Sequence, residues 1–244
     1  EGKLERSAKN VLFIMLKYIP FEAMAIEPAT YQFNRSLNLY GSPACDGLVT
    51  QGAKGRQCQI LEENSEALYL RLCEDHYEGW IPQRDRSALI PAARPYQPIP
   101  VDRFTIEAKI PQVVAFCRAA MEQPHCYLWG GTIAPNYDCS GLMQAAFQSV
   151  GIWLPRDAYQ QEAFVEKLHL STLYPLSLED LAGLNVGDLI FFGTPIKATH
   201  VALYLGHGDY IHSSGKDQGR NGIGIDTLLA SIDPVSQTYG QQLR

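Results

Sequence analysis

Tyr127–Gln161 reads YLWGGTIAPNYDCSGLMQAAFQSVGIWLPRDAYQQ, and the fold turns on how Asp138-Cys139-Ser140-Gly141 sits within it. Downstream of that tetrapeptide, Leu142, Ala145, Ala146 and Val150 recur at helical spacing. Upstream, Gly130, Gly131, Pro135 and Asn136 are turn chemistry, so the helix starts no earlier than about Asp138. Cys139 therefore falls in the first turn of a buried helix. Unpaired N–H groups and partial positive charge at that end favour thiolate over thiol. Taken alone, a small buried cysteine is ordinary core.

Three short apolar runs follow toward the C-terminus: Asp188–Phe192, Thr199–Gly206 and Tyr210–Ser214. Each is bounded by Gly, Asp or Pro, as consecutive antiparallel strands are. His200 opens the second strand and His212 lies on the third, so a hairpin sets the two rings side by side. One imidazole can then serve as base for Cys139 while the other orients it.

The blocks YLWGG, YDCSGLMQAAF, LPRDAYQQ, GDLIFF, THVALYLG and YIHSSG, in that order over residues 99–244, resemble the NlpC/P60 family of cell-wall cysteine peptidases. The resemblance implies Cys139 as nucleophile, His200 as base, His212 as the residue orienting His200, and the Tyr127 hydroxyl near the oxyanion site. The whole chain is similar to cyanobacterial-type γ-D-glutamyl-L-diamino acid endopeptidases, which carry an N-terminal SH3b domain. LNLYGSP (residues 37–43) and GWIP (residues 79–82) are the recognisable parts of such a domain.

The N-terminal half fits that expectation. Tyr31–Phe33, Leu37–Tyr40, Gln57–Leu61 and Ala67–Cys73 are short strand-like pieces separated by turn residues, the texture of a small barrel. PAARPYQPIP, residues 91–100, is a semi-rigid spacer. Ile106–Met121 reads as a helix with Pro111 near its start, packing against the Cys139 helix. Before the barrel, Val11–Leu16 is apolar but broken by Lys17 and Glu22, too short to span a bilayer. Residues 1–30 are expected to form a leader packed on the body, residues 31–90 the SH3b domain, and residues 101–244 the peptidase domain.

With 244 residues, 46% hydrophobic and 19% charged, the chain has ample core for one large domain or two small ones. Its formal charge of -6 argues against nucleic acid or an anionic membrane as the main partner. The six cysteines form no CxxC pair, so no structural zinc site is expected. A required free thiol fits a reducing, cytoplasmic compartment, with export to the envelope as the alternative.

Several residues are candidates for substrate contact. Trp129 and Gly130 would wall a groove where the substrate backbone approaches closely, and Asp138 and Ser140 flank the nucleophile. Arg156 would bind a substrate carboxylate or pair with Asp157. The backbone N–H of Cys139 would join Tyr127 in stabilising an oxyanion. Analogy with SH3b-containing endopeptidases places a free α-amino group of the substrate against Glu74 or Asp75, with Tyr69 or Tyr77 nearby.

The expected architecture is α+β: a papain-like domain, its Cys-bearing helix packed on an antiparallel sheet, behind a small all-β barrel. The expected reaction is hydrolysis of the γ-D-glutamyl–diamino acid (meso-diaminopimelate) bond of murein stem peptides with a free N-terminal L-Ala. It would proceed through a thioester at Cys139, in cell-wall peptide recycling, by a monomer needing no metal or cofactor. Other acyl-transfer chemistry on the same scaffold, a non-catalytic wall-binding SH3b protein, and a zinc site at Cys139, His200 and His212 are the alternatives.

Overall fold

The structure, a computed structural model, describes residues 29–168 and 174–244. The leader expected over residues 1–30 lies almost wholly outside the described residues. Among those described, no helix is long and apolar enough to cross a membrane.

Seven strands form the N-terminal domain: β1 (Thr30–Phe33), β2 (Leu37–Tyr40), β3 (Leu48–Gly52), β4 (Gln57–Glu63), β5 (Ala67–Leu72), β6 (Glu78–Pro82) and β7 (Leu89–Pro91). They build one antiparallel sheet in the order β3-β2-β6-β5-β4-β1-β7. Alternation does the folding work: β2 buries Leu37 and Leu39 while Asn38 faces out. Phe33, Leu39, Leu70, Ile81 and Leu89, drawn from strands between β2 and β7 in that order, share one core, so the sheet curls on itself. It does not close: β3 and β7 are not bonded to each other. The edge of β3 is instead covered by the second domain. There the Gln51 Oε1 accepts from the N–H groups of Thr132 (3.0 Å) and Ile133 (3.1 Å).

The spacer leaves this sheet extended and is tied back to it, Gln57 donating to the Arg94 carbonyl at 3.0 Å. Helix α1 then spans Arg103–Met121, three residues earlier than the apolar spacing indicates. The Asp102 side chain caps it, accepting from the Thr105 N–H at 2.8 Å. Pro111 therefore lies inside the helix rather than near its start, and Cys117 is fully buried core, as its spacing implies.

The short hairpin β8 (Thr132–Ile133) and β9 (Asn136–Tyr137) leads into α2 (Cys139–Gln148) and α3 (Ala158–Phe164). The second sheet follows as β10 (Leu189–Gly193), β11 (Ala198–Gly206), β12 (Asp209–Ser214) and β13 (Gly222–Thr227), all antiparallel in sequence order. Helix α4 (Pro234–Gly240) ends the fold. Leu142, Met143, Ala146 and Phe147 of α2 pack with Val201 and Leu203 of β11 and Val113 of α1. The expected α+β architecture is present, a Cys-bearing helix buried between α1 and an antiparallel sheet. The sequence left α3, β13 and α4 unassigned.

Gly130 shows how tightly the domains meet. It has φ +79°, and a Cβ there would lie 2.7 Å from the Leu48 side chain and 2.8 Å from its carbonyl oxygen. Its close approach is thus to the N-terminal domain, not to a substrate backbone. Gly130→Ala carries both a left-handed backbone and a collision, and is expected to cost about 2 kcal/mol or more, read as a lowered thermal midpoint. An unchanged midpoint would show that the domain junction is slack.

Candidate active site

The β8–β9 hairpin delivers the chain to Asp138, the N-cap of α2, whose Oδ1 accepts from the Gly141 N–H at 2.7 Å. Any side chain at residue 141 would collide with the Gly131 carbonyl, so glycine lets the loop and the helix start touch. Cys139 takes the first helical position, where its own N–H has no intrahelical acceptor. Its sulfur is buried within reach of the backbone N–H groups of Ser140 and Val201, and Val201 adjoins His200 on β11.

His200 and His212 meet as the strand pattern predicts. His200 Nε2 lies 2.7 Å from His212 Nδ1. His212 Nε2 lies 2.7 Å from Asp226 Oδ2 on β13, and both those side chains are fully buried. Arg220 pairs with Asp226 and also, at 3.0 Å, with Asp233; Ser236 donates to Asp226 Oδ1 at 2.8 Å. Tyr239 of α4 stacks on the His200 ring at 4.3 Å between centroids and meets His212 edge-on at 4.9 Å. Asp226, Ser236 and Tyr239 escaped the sequence because β13 and α4 did, and Arg220, in the loop leading into β13, escaped with them. The available signal was the alternation GIGID: in register, Gly224 lies opposite His212, which puts Asp226 diagonally beside it on the same face.

Arg156 does not face the cleft. It is 1% exposed and every arm of its guanidinium is bonded. Nη2 reaches Asp138 Oδ2 at 2.6 Å; Nη1 reaches Asp138 Oδ1 at 3.1 Å and the Ser140 hydroxyl at 3.0 Å; Nε reaches Thr50 of β3 at 3.0 Å. Asp138 also accepts from the Gly130 N–H at 2.9 Å, so neither oxygen is left for substrate. Asp138 and Arg156 thus hold the site together instead of binding ligand. Ser140 borders the cleft, but its hydroxyl is held by this pair.

A cleft of about 290 Å³ opens over the sulfur, lined by Tyr127, Trp129, Ser140, Asp157 and Lys197 of the second domain and by Val49 and Tyr77 of the first. Trp129 stands 71% exposed at its mouth, as a groove wall would. The half-buried Tyr127 lies close enough for a charge on Cys139 to raise its hydroxyl, after the larger effect of burial. Glu74 and Asp75 are elsewhere. Both are turned to Arg56, at 3.2 and 2.8 Å, and Asp75 also accepts from Gln144 of α2 at 2.8 Å. Their side chains are buried, share the Arg56 cation and belong to the domain junction, so the structure does not bring them to the cleft as holders of a substrate amine. The Tyr69 hydroxyl donates to Glu78 at 2.7 Å, away from the cleft lining. Two carboxylates border the cleft: Asp138, already engaged by Arg156, and Asp157, reached by the Tyr77 hydroxyl at 3.2 and 3.3 Å. Asp157 begins α3 as its N-cap, where the sequence placed only a loop. A cavity of about 320 Å³ near Val165, Asp188 and Leu228 contains none of these groups. Chemistry, not volume, singles out the cleft.

Burial sets the protonation state. It pushes the Cys139 thiol up to about 12, with the Asp138 charge adding, against the N–H groups of Val201 and Ser140. Burial also drives His200 well below the ordinary imidazole value, aided by His212 and opposed by Asp226. Both shifts favour a neutral thiol and a neutral imidazole at rest, against the thiolate that the helix terminus alone favours.

Residues 124–242 match the family model described as NlpC/P60 family. That span contains Cys139, His200, His212 and Asp226. The chain carries an NlpC/P60 domain. Residues 39–85 match the model described as a bacterial dipeptidyl-peptidase SH3 domain. Over 107 residues, 41% of this chain, it is 34% identical to the γ-D-glutamyl-L-lysine dipeptidyl-peptidase of Bacillus cereus. Over 92 residues, 36% of this chain, it is 35% identical to the bifunctional muramidase/DL-endopeptidase CwlT of Bacillus subtilis. The matches cover 28% and 25% of those two relatives. The solved structure of an NlpC/P60 family protein from Bacillus cereus is 19% identical and aligns at TM-score 0.42, over 88% of this chain and 61% of that one.

Two outcomes follow for the NlpC/P60 domain. Arg156→Met leaves the Asp138 carboxylate buried without its cation and is expected to cost about 3–5 kcal/mol in denaturant unfolding. The pH profile of kcat/KM on a cleavable peptide tests the neutral pair. Because the folded-state pKa of His200 is depressed, its base form persists into acid and the acid limb lies below the ordinary imidazole value of 6.5. Because the thiol is raised, no alkaline limb is expected near the ordinary thiol pKa of about 8.5. A fall there would show a thiolate–imidazolium pair instead.

Proposed function

We propose that the chain is a cysteine endopeptidase that hydrolyses the γ-D-glutamyl–diamino acid bond of murein stem peptides. The observation that carries this is Cys139 lining a cleft shared by the two domains, its sulfur against the Val201 N–H on the strand whose His200 joins His212 and Asp226 in a buried hydrogen-bonded line. Cys139 gives its proton to His200 and attacks the amide carbon. The Cys139 N–H and the Tyr127 hydroxyl receive the oxyanion, and His200 then protonates the leaving amine of the diamino acid. Water, deprotonated by His200, hydrolyses the thioester. The dipeptidyl-peptidase and DL-endopeptidase activities in the relatives' names support the bond chosen.

The cleft's shape supports a substrate with a free N-terminal L-Ala. Val49 and Tyr77 of the SH3 domain border one side, and Asp157 there is a carboxylate whose pKa burial raises, against the opposing pull of Arg156. An arriving ammonium relieves that penalty, and the Tyr77 hydroxyl positions the carboxylate. Selection for a free amine places the enzyme after the stem peptide has been released, in recycling. The six free cysteines, with Cys126 exposed, support a reducing cytoplasmic compartment rather than an exported protein. As to a zinc site, the nitrogens that His200 and His212 turn toward each other are spaced as a hydrogen bond, with no room for an ion between them.

Mass spectrometry of products from L-Ala-γ-D-Glu-meso-diaminopimelate, free and N-acetylated, tests both levels. Release of L-Ala-γ-D-Glu from the free peptide alone is expected, with none from Cys139→Ala. Asp157→Asn is expected to raise KM for the free peptide about tenfold or more, the loss of one charged hydrogen bond. Equal cleavage of both peptides would retain the peptidase and remove the amine site. Cleavage of neither would leave an amidase or acyltransferase of the same geometry.

A further inference from the structure

We propose that Asp226 is a positioning residue that sets the tautomer of His200 through His212, leaving the base lone pair on His200 Nδ1 and nowhere else. This rests on Cys139 and His200 acting as nucleophile and base, and extends that pair to a residue two hydrogen bonds away.

The logic follows from donor and acceptor counting. Asp226 is held as an anion. Burial alone would raise it, but hydrogen bonds from His212, Arg220 and Ser236 outweigh this and keep it well below the usual carboxylate range. An anionic carboxylate only accepts, so His212 Nε2, 2.7 Å away, must carry a hydrogen. His212 is fully buried, and burial lowers its pKa against the pull of Asp226, so it is neutral and its Nδ1 is a bare acceptor. His200 Nε2, 2.7 Å from that Nδ1, must then be the donor. A neutral His200 with hydrogen on Nε2 has its lone pair on Nδ1, the ring nitrogen left for the Cys139 thiol. One carboxylate therefore fixes two imidazoles in series.

Proton balance is kept throughout. The Cys139 proton moves to His200 Nδ1, making His200 an imidazolium whose Nε2–H still points at His212. Asp226 takes no proton and stabilises the new charge through the intervening ring. Tyr239, stacked on His200, keeps the ring in the plane this line requires. Gly224, opposite His212 in register, presents no side chain that would tilt it.

The first test reads the tautomers in the wild-type chain. Long-range ¹⁵N–¹H NMR on the histidine-labelled chain at neutral pH, assigned with His200→Gln and His212→Gln, reads each tautomer directly. Hydrogen on Nε2 of both rings is expected. Hydrogen on Nδ1 of a neutral His200, or a His212 imidazolium, would overturn the proposal. The second test is Asp226→Asn, whose amide can donate to His212 Nε2 and so reverse every bond in the line. Alkylation of Cys139 by iodoacetamide, followed on its own peptide, is expected to slow about 10²-fold or more, the scale of a lost general base. Asp226→Glu is expected to recover part of that rate. Wild-type tautomers and an unchanged alkylation rate in folded Asp226→Asn would overturn the proposal. Because neither readout involves a peptide, failure of murein-peptide cleavage beside intact tautomers and a fast thiol would strike the substrate assignment alone.

Discussion

The buried Asp138–Arg156 pair ties together every part that meets at the nucleophile. Asp138 caps the helix that begins with Cys139, fixes the Gly130 amide of the preceding loop, and neutralises Arg156, which reaches across to Thr50 of the SH3 domain. Charge in a water-poor interior is costly unless every polar atom is engaged. Here the two oxygens and all three guanidinium nitrogens are. The pair therefore acts as a rigid pin, whose geometry cannot relax without leaving a buried charge exposed to nothing. A residue whose neighbourhood suggests substrate binding serves instead to place the sulfur.

A second constraint explains why the domains are joined so closely. Arg56 in the SH3 sheet gathers Glu74 and Asp75, and Asp75 in turn receives the Gln144 amide from the Cys139 helix. Arg56 also lies over the Trp153 ring at 4.7 Å. Two buried polar clusters, one about Arg156 and one about Arg56, thus straddle the junction. Between them runs the cleft wall formed by Val49 and Tyr77. The SH3 domain shapes the active site physically, by supplying one side of the cleft.

What was legible in the sequence follows from the range of the interaction concerned. The helix start at Cys139, the strands carrying His200 and His212, and the burial of Cys117 are local consequences of spacing and turn chemistry, and they stand as read. So does the adjacency of the two rings, because a tight β11–β12 hairpin leaves few registers. Glu74 and Asp75 were misplaced because two carboxylates in a turn look solvated until Arg56, 18 residues before Glu74 in sequence, is seen to fold over them. Arg156 was misplaced because its neighbour Asp157 looked like its partner, while the true partner, Asp138, lies 18 residues back. Asp226 was invisible for a different reason. Its strand is half glycine over Gly222–Ile225, so its apolar content is too low to announce a strand, and non-local partners, β12 in register and His125 bonded to the Ile223 N–H, hold it there.

Protonation is where local and global physics disagree most. A cysteine at a helix N-terminus is favoured as thiolate by a fixed dipole, an effect confined to the first turn and modest in size. The same helix is buried on every face, and removing a thiolate and an imidazolium from water costs more than the dipole returns. The line from His200 to Asp226 resolves this without a standing charge separation. Asp226, compensated by Arg220, supplies negative potential at the end of two hydrogen bonds, so charge at His200 is stabilised only when the proton arrives. The thiol can remain neutral until an electrophile occupies the cleft, and the base is already oriented when it does.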